Sequence, residues 1–189
     1  NSFAVGFGIG PRINAAGRLQ HAGLALALLR SQDPGEAKAR ALELDGLNRK
    51  RRDIEQDIRL EIETRLEDDP SLLDCGLILE GGEDWHQGVV GITCSRLVDR
   101  YSVPAFVMAK VGDTYKGSAR SPESVHLFEW MNHTPELFLK FGGHARAAGF
   151  TIEAGRIDEV RARLSQTLPN FTTGLVPLNV DLELNLNQI

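Results

Sequence analysis

One stretch constrains this chain more than any other: from Glu36 to about Glu67 there is no proline and only one glycine, Gly46. Asp33 is a good helix cap, Pro34 suits the first helical position, and Glu36 completes a capping box. Leu47, Ile54, Ile58, Ile62 and Leu66 recur at the spacing of one helical face. At about 1.5 Å per residue the stretch predicts a rod of roughly 50 Å. A helix that long, and polar over most of its surface, is expected to bridge two domains. The tract Arg49-Lys50-Arg51-Arg52 lies on it and reads as a solvated face, because acidic residues resume directly after it and no aromatic residues interleave.

On either side the pattern changes. Residues 1–32 hold a Gly- and Ala-rich segment, Phe7 to Arg18, followed by a short apolar helix around Leu24–Arg30. Asp69-Pro70 ends the rod. From there to about residue 170 the order is strand (Gly76–Leu79), helix (Gln87–Tyr101), strand (Ala105–Ala109), a turn at Gly112-Asp113, and strand (Tyr115–Arg120). A helix near Leu127–His133, a Gly-Gly-His turn, a strand at Ala147–Ile152 and a closing helix at Asp158–Leu168 follow. The fold class is therefore α/β, a sheet covered by helices. In residues 171–189, Val176, Leu178, Val180, Leu182, Leu184 and Leu186 alternate with polar residues, which predicts a further strand. The chain opens in mid-pattern and stops inside that strand, so it is expected to be a fragment of something longer.

Composition narrows the function. With 42% hydrophobic and 25% charged residues the chain is ordinary for a globular protein. It has no apolar run long enough to span a membrane and no secretory signal, so a cytoplasmic location is expected. Its two cysteines, Cys75 and Cys94, suggest neither a disulfide framework nor a zinc site. A net charge of −5 argues against blanket electrostatic binding to nucleic acid but leaves room for a local basic groove.

Three clusters combine glycine with basic or hydroxyl side chains. The first holds Arg12, Asn14 and Arg18. The second is Lys116-Gly117-Ser118-Ala119-Arg120-Ser121, in which Lys116, Ser118 and Arg120 share one strand face. Arginine grips phosphate bidentately, and hydroxyl and N–H groups fill the remaining acceptor sites. The third is Gly142-Gly143-His144, where glycines admit a ligand to the backbone beside an imidazole. Taken alone, it is equally a tight turn between helix and strand. Asp84 to Ile92 forms a strand-to-helix junction whose helix N-terminus could face an anion, or whose Trp85 and His86 could be packing and capping groups. The five histidines and the acidic residues show no metal-ligating grouping, and no nucleophile elbow, Walker loop or dinucleotide fingerprint is present. Residue chemistry alone points to a phosphate- or nucleic-acid-gripping module with no metal site and no catalytic residues of its own.

Together these stretches resemble the RecJ family of single-strand-specific exonucleases, within the DHH phosphoesterase superfamily. The likeness rests on Gly8 to Leu19, Trp85 to Ile92 with Ser95-Arg96-Leu97, Gly117 to Ser121, and Phe141 to His144 through Ala147–Phe150. The resemblance implies that residues 1–32 end the catalytic DHH domain and 33–69 are the connecting helix. It makes 70–170 the DHH-associated nucleic-acid-binding domain, and 171–189 a linker and the first strand of an oligonucleotide-binding fold. It further implies a parent enzyme that removes nucleotides from the 5′ end of single-stranded DNA in repair and recombination, using Mn²⁺ or Mg²⁺ bound upstream of this chain. Ser118, Arg120, Ser121 and His144 would then contact DNA phosphates, with Lys116, Gly142 and Gly143 beside them, and Arg12, Asn14 and Arg18 would line the cleft. Single-stranded DNA is the implied partner, with single-strand-binding proteins and helicases as candidate partners of the parent. The alternatives are an oligoribonuclease or cyclic-dinucleotide phosphodiesterase of the same superfamily, and a non-catalytic nucleic-acid-binding module.

Overall fold

The computed structural model describes residues 1–169, so the alternating segment Val176–Leu186 lies outside the described residues. A wide helical stretch, Ala4–Ile9, runs into α1 (Gly10–Leu19), with Pro11 in its first turn. The sequence reading missed α1, because Gly10, Pro11 and Gly17 mask a helix that tertiary packing of Ala15 and Ala16 stabilises. A short helix, α2 (Gly23–Arg30), precedes the rod, α3 (Pro34–Asp68). The Asp33 carboxylate accepts the N–H of Glu36 at 2.7 Å, as a capping box requires. The reciprocal bond does not form, since the Glu36 carboxylate binds Ser31 and Arg40 instead.

The rod serves two cores in turn. Leu44 and Leu47 pack with Ala15, Ala16 and Ala25 of α1 and α2. Further along it, Ile58, Ile62 and Leu66 enter the core beneath the sheet. A single turn, α4 (Ser71–Asp74), then leads into the α/β unit.

That unit is a five-stranded mixed sheet in the order β1-β2-β3-β5-β4. Its strands are β1 (Ile78–Gly82), β2 (Ala105–Val111), β3 (Thr114–Arg120), β4 (Lys140–Gly143) and β5 (Ala147–Glu153). β1 and β2 are parallel, joined by the crossover helix α5 (Gln87–Tyr101), and the remaining pairs are antiparallel. The Gly-Gly-His segment is thus not a plain turn. Lys140 to Gly143 form the edge strand, paired to β5 through backbone hydrogen bonds that need no side-chain pattern.

Each face of the sheet has its own cover. On one, Leu79, Phe106, Met108, Tyr115, Phe150 and Ile152 pack against α6 (Leu127–Asn132) and α7 (Ile157–Thr167), with Trp130 edge-on to Phe106. On the other, Ile78, Ala105 and Val107 meet Val89, Val90 and Leu97 of α5, with α3 beyond. α5 lies over β2 and β3. It leaves the β5–β4 half of that face open, where Gly149 and Gly142 are exposed.

Candidate nucleic-acid interface

The open half-face is set by strand register. Lys116 pairs with Thr151, which pairs with Lys140. Ser118 pairs with Gly149, which pairs with Gly142. Arg120 pairs with Ala147, whose carbonyl accepts the backbone N–H of His144 at 2.8 Å. Directly opposed residues of antiparallel strands point to the same side, so these rows form one surface. It holds an open trough of about 520 Å³ lined by Lys116, Lys140, Gly142, Gly149 and Thr151. Lys116 and Lys140 are exposed and carry no ion pair among the described residues.

The glycines of this surface differ in what they answer to. A Cβ at Gly143 would come 2.3 Å from the Ala147 carbonyl oxygen, so close strand packing requires glycine there. A Cβ at Gly142 would meet nothing within 4 Å, and one at Gly149 only the Gly117 carbonyl oxygen at 3.9 Å. Neither has the positive φ that would demand glycine. At these two positions the missing side chains leave the trough floor flat between two lysines.

Ser118 and Arg120 stand at the border between this floor and α5. Gly91 of α5 makes room for them: a Cβ there would lie 3.1 Å from the Ser118 hydroxyl and 3.5 Å from Arg120 Nη2. Arg120 donates to the Ala119 carbonyl at 2.8 Å and makes no ion pair among the described residues. His144 is exposed.

Two expected contact residues are placed otherwise. Ser121 is buried, its hydroxyl 2.8 Å from the Val125 carbonyl oxygen and 3.3 Å from that of Ala145. It ties the loop after β3 to the segment after the edge strand and cannot face a ligand. Arg12 is bound to Asp45, with Nη2 2.7 Å from Oδ1, and it also donates to the Gly8 carbonyl. It fastens α1 to the rod, and its charge is already compensated. Asn14 is exposed on α1. Arg18, also exposed, donates from Nη1 to the Gly88 carbonyl at 3.1 Å, which joins α1 to the first turn of α5.

At the strand-to-helix junction, His86 caps α5 by accepting the Gly88 N–H on Nδ1 at 3.1 Å. Trp85 is buried, donates to Glu61 at 2.8 Å and lies under the Arg65 guanidinium. Both are packing and capping groups. The basic tract of the rod is less uniform than a solvated face. Arg49, Lys50 and Arg52 are exposed, while Arg51 is half-buried, and its Nε is buried without a hydrogen-bond partner.

Among the described residues no three His, Cys, Asp or Glu side chains converge as metal ligands. No described helix is long and apolar enough to cross a membrane.

Residues 74–170 match the family model described as the DHHA1 domain. The single-stranded-DNA-specific exonuclease RecJ of Salmonella typhimurium is 41% identical over 175 residues, an alignment that covers 88% of this chain and 30% of that protein. The crystal structure of RecJ from Thermus thermophilus in complex with Mg²⁺ superimposes with a TM-score of 0.78 at 33% identity, over 88% of this chain and 26% of that one. The same enzyme in complex with Mn²⁺ gives the same TM-score over 24% of its length. The chain thus spans less than a third of these relatives.

Proposed function

The chain belongs to the DHHA1 domain family, and from that premise we propose that it is the DNA-gripping part of a longer 5′-to-3′ exonuclease specific for single-stranded DNA, acting in repair and recombination. The observation that carries this reading is the open half-face of the sheet. It offers Lys116, Lys140 and Arg120 without ion-pair partners among the described residues, and a floor that two glycines keep flat without any packing need.

On this surface Arg120 and Ser118 hold one phosphate, by a guanidinium fork and a hydroxyl. Lys116 holds the next as a point charge, while Gly142 and Gly143 let the strand approach the backbone beside His144. A flat floor suits a single strand, whose sugar-phosphate chain lies along it. Arg18 lines the cleft at the α5 border. The chemistry of cleavage belongs to Mg²⁺ or Mn²⁺ held by parts of the parent outside this chain, which works in the cytoplasm. By itself the chain binds single strands and hydrolyses nothing.

The test is a fluorescence-anisotropy titration of the chain with 5′-phosphorylated single-stranded and duplex oligonucleotides at several salt concentrations. Salt-sensitive binding that prefers the single strand and weakens in Arg120→Ala and His144→Ala is expected. Binding indifferent to both substitutions would remove the sheet face from the contact surface.

A further inference from the structure

The trough and the seat offered by Arg120 and Ser118 occupy different ends of the open sheet face. The concavity of about 520 Å³ is lined by Lys116, Thr151, Lys140, Gly142 and Gly149, and Ser118, Arg120 and His144 do not enter its wall. A grip confined to the arginine end therefore leaves the concave part of the surface without an occupant.

Strand register builds what stands there. Thr151 of β5 lies in one row between Lys116 of β3 and Lys140 of β4. Two strand spacings put the lysine backbones about 10 Å apart. Tyr115, Phe150 and Ile152 enter the core on the opposite face, which turns the side chains of this row to the open one. Thr151 is half-buried, and its hydroxyl makes no hydrogen bond among the described residues. Lys110, which lies on β2 outside the trough, is neutralised by Glu83, whereas neither lysine of the row has an acidic partner among the described residues. One row further along, the exposed Glu153 opposes Thr114 and stands on the same side as Thr151. Its carboxylate repels any phosphate carried past the lysines.

We propose that Lys116, Thr151 and Lys140 form a second phosphate seat, that Glu153 closes the trough beyond it, and that this face takes a run of two consecutive phosphates of single-stranded DNA. The inference rests on the proposed DNA-gripping role and deepens it. Two residues along a strand advance about 6.6 Å, close to one nucleotide of an extended single strand, so the lysine row falls one nucleotide beyond Ser118. Two ammonium groups close on the phosphate oxygens from either side, and the Thr151 hydroxyl donates from the floor. Lysine acts here as a point charge on a flexible stem, which follows a phosphate without fixing its orientation. No side chain of the row is aromatic or reaches for a base edge, so the seat counts phosphates and reads no sequence.

The test uses the 189-residue chain and a fluorescently labelled oligothymidylate, displaced either by thymidine 5′-monophosphate or by the 5′-phosphorylated thymidine dinucleotide. The dinucleotide, with its second phosphate, is expected to compete on the order of tenfold better. Lys140→Gln and Thr151→Val should each remove most of that advantage and leave the mononucleotide, which takes the stronger arginine seat, unchanged. Lys140→Gln should also reduce the salt slope for the labelled strand by about one. Glu153→Gln should enlarge the gain from dinucleotide to trinucleotide. Lys140 is exposed and Thr151→Val keeps the β-branched shape, so thermal melts of these variants should match the native chain. An undiminished dinucleotide advantage in both Lys140→Gln and Thr151→Val would overturn the second seat. So would an equal loss in Lys50→Gln, an exposed lysine on the rod, because diffuse charge would then account for the effect. Losses confined to Arg120→Ala and His144→Ala would overturn this seat and leave the DNA-gripping reading intact. Losses confined to Lys140→Gln and Thr151→Val would support this seat and overturn the one at Arg120, and binding indifferent to all four substitutions would overturn both.

Discussion

Arg18 and Gly88 grip each other from both sides: the guanidinium donates to the Gly88 carbonyl at 3.1 Å, and the Arg18 carbonyl oxygen sits 2.2 Å from where a Cβ on residue 88 would fall. The second relation is the more demanding, because the clashing atom is backbone and cannot rotate away. Gly88→Ala should force α1 off the start of α5 and cost about 1–3 kcal/mol in chemical denaturation. Arg18→Ala removes only an exposed hydrogen bond and should cost under about 1 kcal/mol while weakening oligonucleotide binding. Equal stability losses in the two variants would mean that the α1–α5 contact is not held by this close approach.

The flat trough floor makes a prediction of the opposite kind. A Cβ at Gly142 meets nothing within 4 Å and one at Gly149 only the Gly117 carbonyl oxygen at 3.9 Å, and each valine removes a flexible residue from a strand, so in Gly142→Val and Gly149→Val stability should stay level or rise by up to about 1 kcal/mol. Single-strand affinity should fall, because the new side chains stand where the strand lies. Gly143→Ala should behave differently and lower stability through its 2.3 Å clash with the Ala147 carbonyl. Anisotropy and thermal melts on the three variants decide the matter. Unchanged affinity in both valine variants would leave the trough without a ligand.

Glu80 is the tie between the rod and the sheet. It is 6% exposed, and its two oxygens take Arg65 of α3 at 2.9 Å and Arg161 of α7 at 3.1 Å. Removing this buried carboxylate takes from both arginines the partner they share, leaving Arg65 with Glu61 and the Gly81 carbonyl, and Arg161 with Asp158 and the Leu79 carbonyl. Both arginines keep some access to water, which moderates the penalty. Glu80→Ala should destabilise the fold by about 2 kcal/mol or more, and Glu80→Gln by less, as read by urea denaturation. A loss within about 0.5 kcal/mol for Glu80→Ala would show that the tie contributes nothing.

How far the sequence carried the structure depended on whether a signal was local. The rod was legible because its cap, its missing breakers and its apolar register all lie within one segment. β2, β3, β5 and α5 were legible for the same reason. The edge strand Lys140–Gly143 was not, since two glycines carry no alternation and its only support is pairing with β5. Ser121 and Arg12 had the right chemistry for phosphate, but hydrogen bonds to Val125 and Asp45 engage them, and those partners are visible only in three dimensions. Arg51 is the instructive case. A run of four basic residues reads as one patch, yet at about 100° per residue only one of them can fall on the buried side. Its place in the apolar register between Leu47 and Ile54 was the available signal.

Cys94 gives a pH dependence whose sign follows from burial. The thiol is fully enclosed, with its sulfur 2.8 Å from the Ala105 carbonyl oxygen and 3.3 Å from that of Ser118, and burial raises its pKa from 9.0 to about 12. The folded-state pKa lies above the unfolded one, so the fold keeps the neutral thiol. Below pH 9 both states are protonated and this contribution is intact. Between pH 9 and 12 the unfolded chain gains by ionising while the folded chain cannot. Stability should therefore fall by about 1.4 kcal/mol per pH unit from this group alone. Other groups titrate in the same range, so the informative quantity is the difference between the native chain and Cys94→Ala. That difference should be flat from about pH 7 to 8.5, then shift steadily in favour of the alanine variant up to about pH 11. At about pH 8 a thiol reagent should label Cys75 in the folded protein, and Cys94 only after denaturant is added. Parallel stability curves for the two proteins, or rapid labelling of both thiols in the folded state, would show that the space between α5 and the sheet opens far more readily than its packing allows.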